Sequence, residues 1–399
     1  MEFNIRNCEN FKIKDLVKVN RGSSPRPIQK YLDTKGYKWL KISDFKLGDK
    51  FVNITKEFIK EEGLYNTRFV KKGTLILTNS ATPGIPIFLG EDMCLHDGFL
   101  YFENLNEKKL NIEFLYCWFL LNRNYIINQA NGTVFRNLKK EIIENLSISL
   151  PDIKIQNKIV KIYNSILDKI IINNKINDNL YKLGGNLFNK ISKNLNESNS
   201  KLYVLKDVIE LLRDGTHNPP KRIKNGVPLL MGQTIQNGFI NYDKMTYISE
   251  NDYKKIHSKY EPQKFDLLLT KIGTVGKVAI LRQKDIPIAI HCNSALIRFN
   301  SKFISQFYGF WLLLSNDFQN EFKIRVTKTV QEFVSLGSIS EIPIRVPNKE
   351  ILTKYDTLFK NLLNKVSQIN EENIKLEQLR DTLLPKLMNG EIDLDKIEI

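Results

Sequence analysis

The sequence is written twice, and that duplication limits what the chain can fold into more than any other feature. LILTNSATPG (75–84) returns as LLLTKIGTVG (267–276), and Lys14, Asp15 and Leu16 return as Lys206, Asp207 and Val208, in both cases 192 positions on. Thr133, Val134 and Leu138 find Thr329, Val330 and Val334 at a shift of 196. The ends of the two halves match best. Leu150, Pro151 and Asp152 correspond to Val346, Pro347 and Asn348, so each half closes on a proline followed by a residue able to cap a helix.

Beyond each cap the apolar residues follow a three-four spacing, which places one seam along a helix. In the first half the seam reads Ile155, Ile159, Ile162, Ile166, Ile176, Leu180, Leu183 and Leu187. In the second it reads Ile351, Tyr355, Leu358, Leu362, Ile369, Leu376, Leu379, Leu383 and Leu387. Lys169 before Ile170 and Lys365 before Val366 interrupt both at the same place. A helix of about 40 residues is ~60 Å long, and its seam needs a partner. The second copy supplies one, so the expected plan is an antiparallel helix pair separating two similar globular domains. Asn173 falls on the seam, either fixing its register or standing at a solvated position.

Short β-rich runs, TLILT (74–78), LSISL (146–150), DLLLT (266–270) and IPIRV (342–346), share each half with helical runs at 113–126 and 303–318. The fold class is therefore α+β. The expected division is a first domain at 1–150, a first long helix at 151–191, a linker at 192–200, a second domain at 201–347, a second long helix at 348–390 and a tail at 391–399.

The 399 residues carry 60 Lys and Arg against 44 Asp and Glu, a formal charge of +16. That excess favours a polyanionic partner, because each neutralised phosphate releases counterions, although a composition rich in Asn, Lys and Ile also follows from A·T-biased codons. Cys8, Cys94, Cys117 and Cys292 have no paired spacing, so neither a zinc site nor a disulfide framework is expected. The opening residues have no apolar signal core, and no apolar run reaches the ~20 residues of a membrane span. The expectation is a soluble, cytoplasmic protein without membrane association.

The tail RDTLLPKLMNGEI (380–392), the opening of the second half DGTHNPPK (214–221) and the helix entry LPDIKIQNKIV (150–160) are similar to segments of the specificity (S) subunits of type I restriction-modification systems. Leu187, Phe188, Lys190 and Ile191 echo Leu383, Leu384, Lys386 and Leu387 of the tail. The first half carries RGSSPRP (21–27) where the second has DGTHNPPK, and Ile155 stands where that family commonly has an acidic residue. The resemblance covers essentially the whole chain. It implies two target recognition domains held apart by conserved helices, each reading one part of a bipartite target in double-stranded DNA. It also implies partnership with two methyltransferase (M) subunits and restriction/translocase (R) subunits, with no catalysis and no cofactor in this chain.

Three motifs suggest chemistry. Asn218, Pro219, Pro220 and Lys221 approach the Asn-Pro-Pro-aromatic motif of amino-methyltransferases, but Lys221 cannot stack on a flipped base. GTVGK (273–277) lacks the spacing of a phosphate loop, and Asp152 reads better as a helix cap than as a nuclease ligand. His96, His217, His257 and His291 show no metal-ligand spacing, and the similar placing of His96 and His291 suggests a shared structural hydrogen bond. The alternative function is a DNA methyltransferase or nuclease with an unrecognised site; a basic scaffold without sequence preference is a third. Candidate DNA contacts are basic, amide and hydroxyl residues in Gly- or Pro-rich loops, types that bond phosphates or base edges. They are Arg21, Ser24, Arg26, Asn79, Arg136 and Asn137 in the first half. The second half offers Arg213, Thr216, His217, Lys221, Gln233, Lys271, Lys277, Lys328 and Gln331.

Overall fold

The computed structural model describes residues 8–394, except 46–47, 130–136, 219, 244 and 328–331. The chain divides into two compact units, residues 1–170 with 374–399, and residues 171–373. Each unit therefore joins one globular domain to a stretch of both long helices, Ile153–Lys193 and Lys349–Met388.

In the first unit, strand Glu9–Lys12 pairs antiparallel with Ser147–Leu150, so the beginning and end of the globular domain lie side by side. A five-stranded sheet runs in the order Lys18–Arg21, Phe99–Glu103, Leu75–Thr78, Pro86–Leu89, Phe51–Val52. Leu75–Thr78 is buried along its whole length, which explains why it reads as an uninterrupted apolar run. In a second sheet Tyr37–Leu40 lies parallel to Met93–Leu95. Helix Ile112–Gln129 buries every residue from Phe114 to Phe119. Its neighbours in the core include Ile159, Tyr163 and Leu167 of the first long helix and Leu384, Leu387 and Met388 of the second. Gln156, fully buried, ties that helix to the domain. Its Nε2 donates to the carbonyls of Lys109 (2.8 Å) and Pro151 (2.9 Å), and its Oε1 accepts from the Asn111 amide (2.9 Å).

The second unit repeats the plan. Ser200–Val204 pairs with Pro343–Pro347, and a four-stranded sheet runs Ile209–Asp214, Ser294–Phe299, Leu267–Thr270, Val278–Ile280. Val227–Leu230 lies parallel to Ala289–Ile290, as their counterparts do in the first unit. The helical run expected at 303–318 is instead two helices, Gln306–Leu314 and Asn316–Ile324. Ser315 leaves helical dihedrals between them, and its hydroxyl accepts from the Phe318 amide to cap the second. Trp311 packs against the first long helix at Gly184, where a Cβ would fall 2.3 Å from the indole ring. Phe188 and Phe359, one from each long helix, join the same core.

Both long helices start on the caps the sequence proposes. Asp152 Oδ1 accepts from the Lys154 amide (2.8 Å), and Asn348 Oδ1 from the Ile351 amide (3.0 Å). Within the second unit the helices run antiparallel, Asn173 meeting Asn373 and Asn177 meeting Asn370. Their seam differs from the one read above. Ile176, Leu183, Leu358 and Leu379 are exposed. The buried line of the second helix passes through Phe359, Leu362, Val366, Ile369 and Asn373, whereas Leu358 sits one residue off it. Ile170 and Val366 are buried, so the seam continues past the two lysines. Asn173, 1% exposed, is a paired seam residue. Its amide donates to Asn373 Oδ1 (2.9 Å) and Glu372 Oε2 (3.0 Å), and Asn373 donates to Asn174 (2.9 Å).

Among the described residues no helix is long and apolar enough to cross a membrane.

Candidate nucleic-acid interface

In the first domain, strand Lys18–Arg21 ends at Gly22, which must be glycine because a Cβ there would lie 2.1 Å from the His96 carbonyl oxygen. The loop that follows, held by Ser23 N donating to the Leu95 carbonyl (3.0 Å), converges on one carboxylate. Asp97 Oδ1 accepts from the Ser24 hydroxyl at 2.8 Å, and Asp97 Oδ2 lies 4.0 Å from Arg21 Nη2 and 3.8 Å from Arg26 Nη2. The Asp97 carbonyl accepts from Arg21 Nε (3.0 Å) and from the Asn79 amide (3.2 Å). Burial pushes the Asp97 carboxyl up, but the Ser24 hydroxyl, His96 and Arg21 outweigh it and hold the group below the usual carboxylate range. Arg26 is 81% exposed.

The second domain builds the same turn. Gly215 takes the place of Gly22, with a Cβ there only 1.6 Å from the Ile290 carbonyl oxygen, and Thr216 N donates to that carbonyl (3.0 Å). The carboxylate now comes from Asp214, at the end of its strand. Its Oδ2 lies 3.2 Å from Lys271 Nζ and 3.2 Å from His217 Nε2, and its carbonyl accepts from the Tyr260 hydroxyl (2.7 Å). Thr216 donates its hydroxyl to the Asn218 carbonyl (2.8 Å).

Three further pairs match. Thr78 Oγ1 accepts from the Ile85 amide and Thr270 Oγ1 from the Lys277 amide, each at 2.9 Å. Asn79 and Lys271 follow those threonines; their carbonyls accept from Leu138 N (2.8 Å) and Val334 N (2.9 Å). His96 Nδ1 accepts from the Gly98 amide (2.8 Å) and His291 Nδ1 from the Asn293 amide (3.4 Å), the shared structural bond expected of this pair. Burial lowers the pKa of both imidazoles, for His96 against the opposing pull of Asp97.

The structure thus gathers Arg21, Ser24, Arg26 and Asn79 around Asp97, and Lys271 and His217 around Asp214, with Thr216 in the adjoining turn. Asn79 and Lys271 are buried and engaged inside the domain, 4% and 5% exposed, so neither side chain is open to a ligand as it stands. Arg213, His217, Lys221, Gln233 and Asn137 are exposed, and Lys277 is half-buried. Arg213, Asn137, Lys221, Gln233 and Lys277 are not drawn into either carboxylate cluster by any bond described above. Arg136, Lys328 and Gln331 lie outside the described residues. Asp97, Asp214 and Arg222 escape a reading of loop composition, although Asp214 heads the DGTHNPPK segment and Arg222 follows it. Arg222 is exposed and acts electrostatically on His291. Among the described residues no group of three or more His, Cys, Asp or Glu side chains is placed to hold a metal ion.

Known proteins share this plan. A family model described as Type I restriction modification DNA specificity domain matches residues 5–182 and 197–378. The Type I restriction enzyme MjaVIII specificity subunit of Methanocaldococcus jannaschii is 24% identical over 402 residues, covering 96% of this chain and 92% of that protein. The MjaIX specificity subunit of the same organism is 24% identical over 419 residues, covering 97% and 94%. The crystal structure of a type I restriction-modification system S subunit from M. genitalium shares the fold with a TM-score of 0.57 at 16% identity, covering 97% of this chain and 98% of that one.

Proposed function

This chain belongs to the type I restriction modification DNA specificity family, and from that premise we propose that its two domains read the two parts of a bipartite DNA target through the loops around Asp97 and Asp214. The chain serves sequence-specific DNA recognition in a restriction-modification complex, and the chemistry belongs to other subunits. The observation that carries the reading is the repetition of one loop architecture with different side chains. Gly22 and Gly215, Thr78 and Thr270, and His96 and His291 keep the frame. The donors it presents are Arg21 and Arg26 in one domain and His217, Arg213 and Lys221 in the other. A constant frame with changed donors is what two readers of different sequences require.

The long helices fix the separation of the two readings, leaving the bases between them unread. Two methyltransferase subunits, joined by restriction subunits when DNA is cut, dock on the chain, and the exposed apolar residues Ile171, Ile172, Ile176 and Leu183 of the first long helix are a surface suited to such a partner. Methylation-sensitive sequencing of DNA from cells expressing the chain with its methyltransferase subunit tests the reading. Two short defined sequences separated by a fixed undefined gap are expected. A single continuous motif, or methylation without sequence preference, would overturn it.

A further inference from the structure

Three corresponding positions carry Arg21, Asn79 and Asp97 in the first domain, and Asp214, Lys271 and Cys292 in the second. The correspondence follows from the frame: the residues after Gly22 and Gly215 donate to matching carbonyls, Ser23 N to Leu95 and Thr216 N to Ile290 (each 3.0 Å), and Asn79 N and Lys271 N donate to the carbonyls of Gly98 (2.9 Å) and Asn293 (2.8 Å). The carboxylate sits in a turn after one strand in the first domain and at the end of another strand in the second, where a buried cation, Lys271, stands beside it in place of Asn79. Each domain still places one carboxylate against an exposed donor of its loop, Asp97 against Arg21 and Arg26 and Asp214 against His217.

That arrangement works against indiscriminate DNA binding. A loop meant only to grip phosphate gains nothing from a carboxylate beneath its cations, because the negative charge repels the backbone and weakens the counterion release that drives non-specific binding. We infer that Asp97 and Asp214 are specificity-determining positioning residues: Asp97 aims Arg21 and Arg26, Asp214 aims His217, and each penalises contact with phosphate, so that the loop engages only where base edges supply acceptors. Lys271 shows the consequence most clearly. Its side chain is 6% exposed with its ammonium on Asp214, so its charge serves to hold Asp214 and the loop rather than to meet DNA directly.

The inference rests on the proposed DNA-reading role, and the test separates the two. The assembled full-length chain and methyltransferase is prepared as wild type, Asp97→Asn and Asp214→Asn. Its methylated motif is sequenced, and its affinity is measured for a duplex bearing that motif and for a random-sequence duplex of equal length. A wild-type complex without a defined motif would refute the DNA-reading role itself. With that motif established, Asp97→Asn is expected to bind random duplex more tightly, with a salt dependence steeper by about 0.9 in log-log slope for each additional phosphate neutralised. It is also expected to lower the preference for the motif duplex by roughly tenfold, and to blur one half of the methylated motif while sparing the other. Asp214→Asn is expected to blur the opposite half. Unchanged preference and slope in folded variants would overturn the inference, as would blurring of both halves by one substitution. If one variant fails to fold by circular dichroism, the other carries the test. Unfolding of both would show that the carboxylates serve only structure, and would overturn the inference too.

Discussion

Asn79 and Lys271 occupy the same place in the two domains, yet Asn79 donates to the Asp97 carbonyl (3.2 Å) while Lys271 lies on the Asp214 carboxylate (3.2 Å). One position is solved with a neutral amide and the other with a buried charge, and the difference follows the placing of the carboxylate. A buried cation with one close carboxylate depends on it, because removing either partner leaves the other poorly solvated.

Lys271→Asn, which gives the second domain the residue that the first carries here, should therefore lose about 1–3 kcal/mol of stability in denaturant titrations. Adding Asp214→Asn should recover more than half of that loss, as coupled neighbours do. A double variant as unstable as the sum of the two single variants would show that the pair is not coupled.

The amides between the long helices make a different claim. Asn173, Asn373 and Asn177 are buried at seam positions, and the bonds from Asn173 to Asn373 and from Asn177 to Asn370 form in one alignment of the two helices. Asn173→Leu alone strands the Asn373 carbonyl and should cost about 1–3 kcal/mol. Asn173→Leu with Asn373→Leu should restore stability while relaxing register, read as a methylated motif with more than one gap length. A double variant with a single unchanged gap would show that the asparagines do not set register.

Gly184 and Gly185 both lie inside a helix, where glycine costs about 1 kcal/mol relative to alanine. Nothing lies within 4 Å of a Cβ at Gly185, but a Cβ at Gly184 would meet the Trp311 ring at 2.3 Å. Thermal melts should show Gly185→Ala stabilised and Gly184→Ala destabilised, with Trp311 fluorescence altered only in the second. Equal effects of the two substitutions would contradict the close packing of Trp311.

Acid should weaken the second domain through His257. This residue is 4% exposed between Tyr253 and Tyr260, and its Nε2 accepts from the Ile290 amide at 3.3 Å beside the reading turn. Burial lowers its pKa to about 4, with the Tyr260 backbone pulling weakly the other way. An unfolded histidine titrates near 6.5. Between those values the unfolded state holds a proton that the folded state does not, so stability present above pH ~6.5 is lost as pH falls towards 4, in total roughly 3 kcal/mol. His257→Gln should flatten the difference between urea titrations at pH 7 and pH 5. An unchanged difference would contradict the burial of a neutral imidazole.

Much of this is legible in the residues. The match of LILTNSATPG to LLLTKIGTVG by itself aligns Thr78 with Thr270 and Asn79 with Lys271, and Pro151-Asp152 and Pro347-Asn348 announce both long helices. The clusters are only half legible. Arg21 and Asp97 are 76 positions apart and meet through the pairing of strands between them, so loop composition points to the cations and not to the carboxylate that organises them. The seam departs from its sequence pattern at Leu358 because two apolar residues stand together there, and packing, which chooses Phe359, is not a property of either alone. The break at Ser315 is hidden inside an apolar run that looks continuous.

Each domain reads its own half of the target, and exchanging the domains tests this directly. Pairing of Glu9–Lys12 with Ser147–Leu150, and of Ser200–Val204 with Pro343–Pro347, brings the two ends of each domain together, so one domain can be exchanged for the other at those strands. The decisive measurement is the methylated motif of a chain in which residues 9–150 replace residues 200–347, compared with the motif of the parent. A symmetric motif is expected, with the half-sequence of the first domain occurring twice in inverted orientation. A folded, active chain that keeps the parent motif, or that changes the half belonging to the untouched domain, would contradict it.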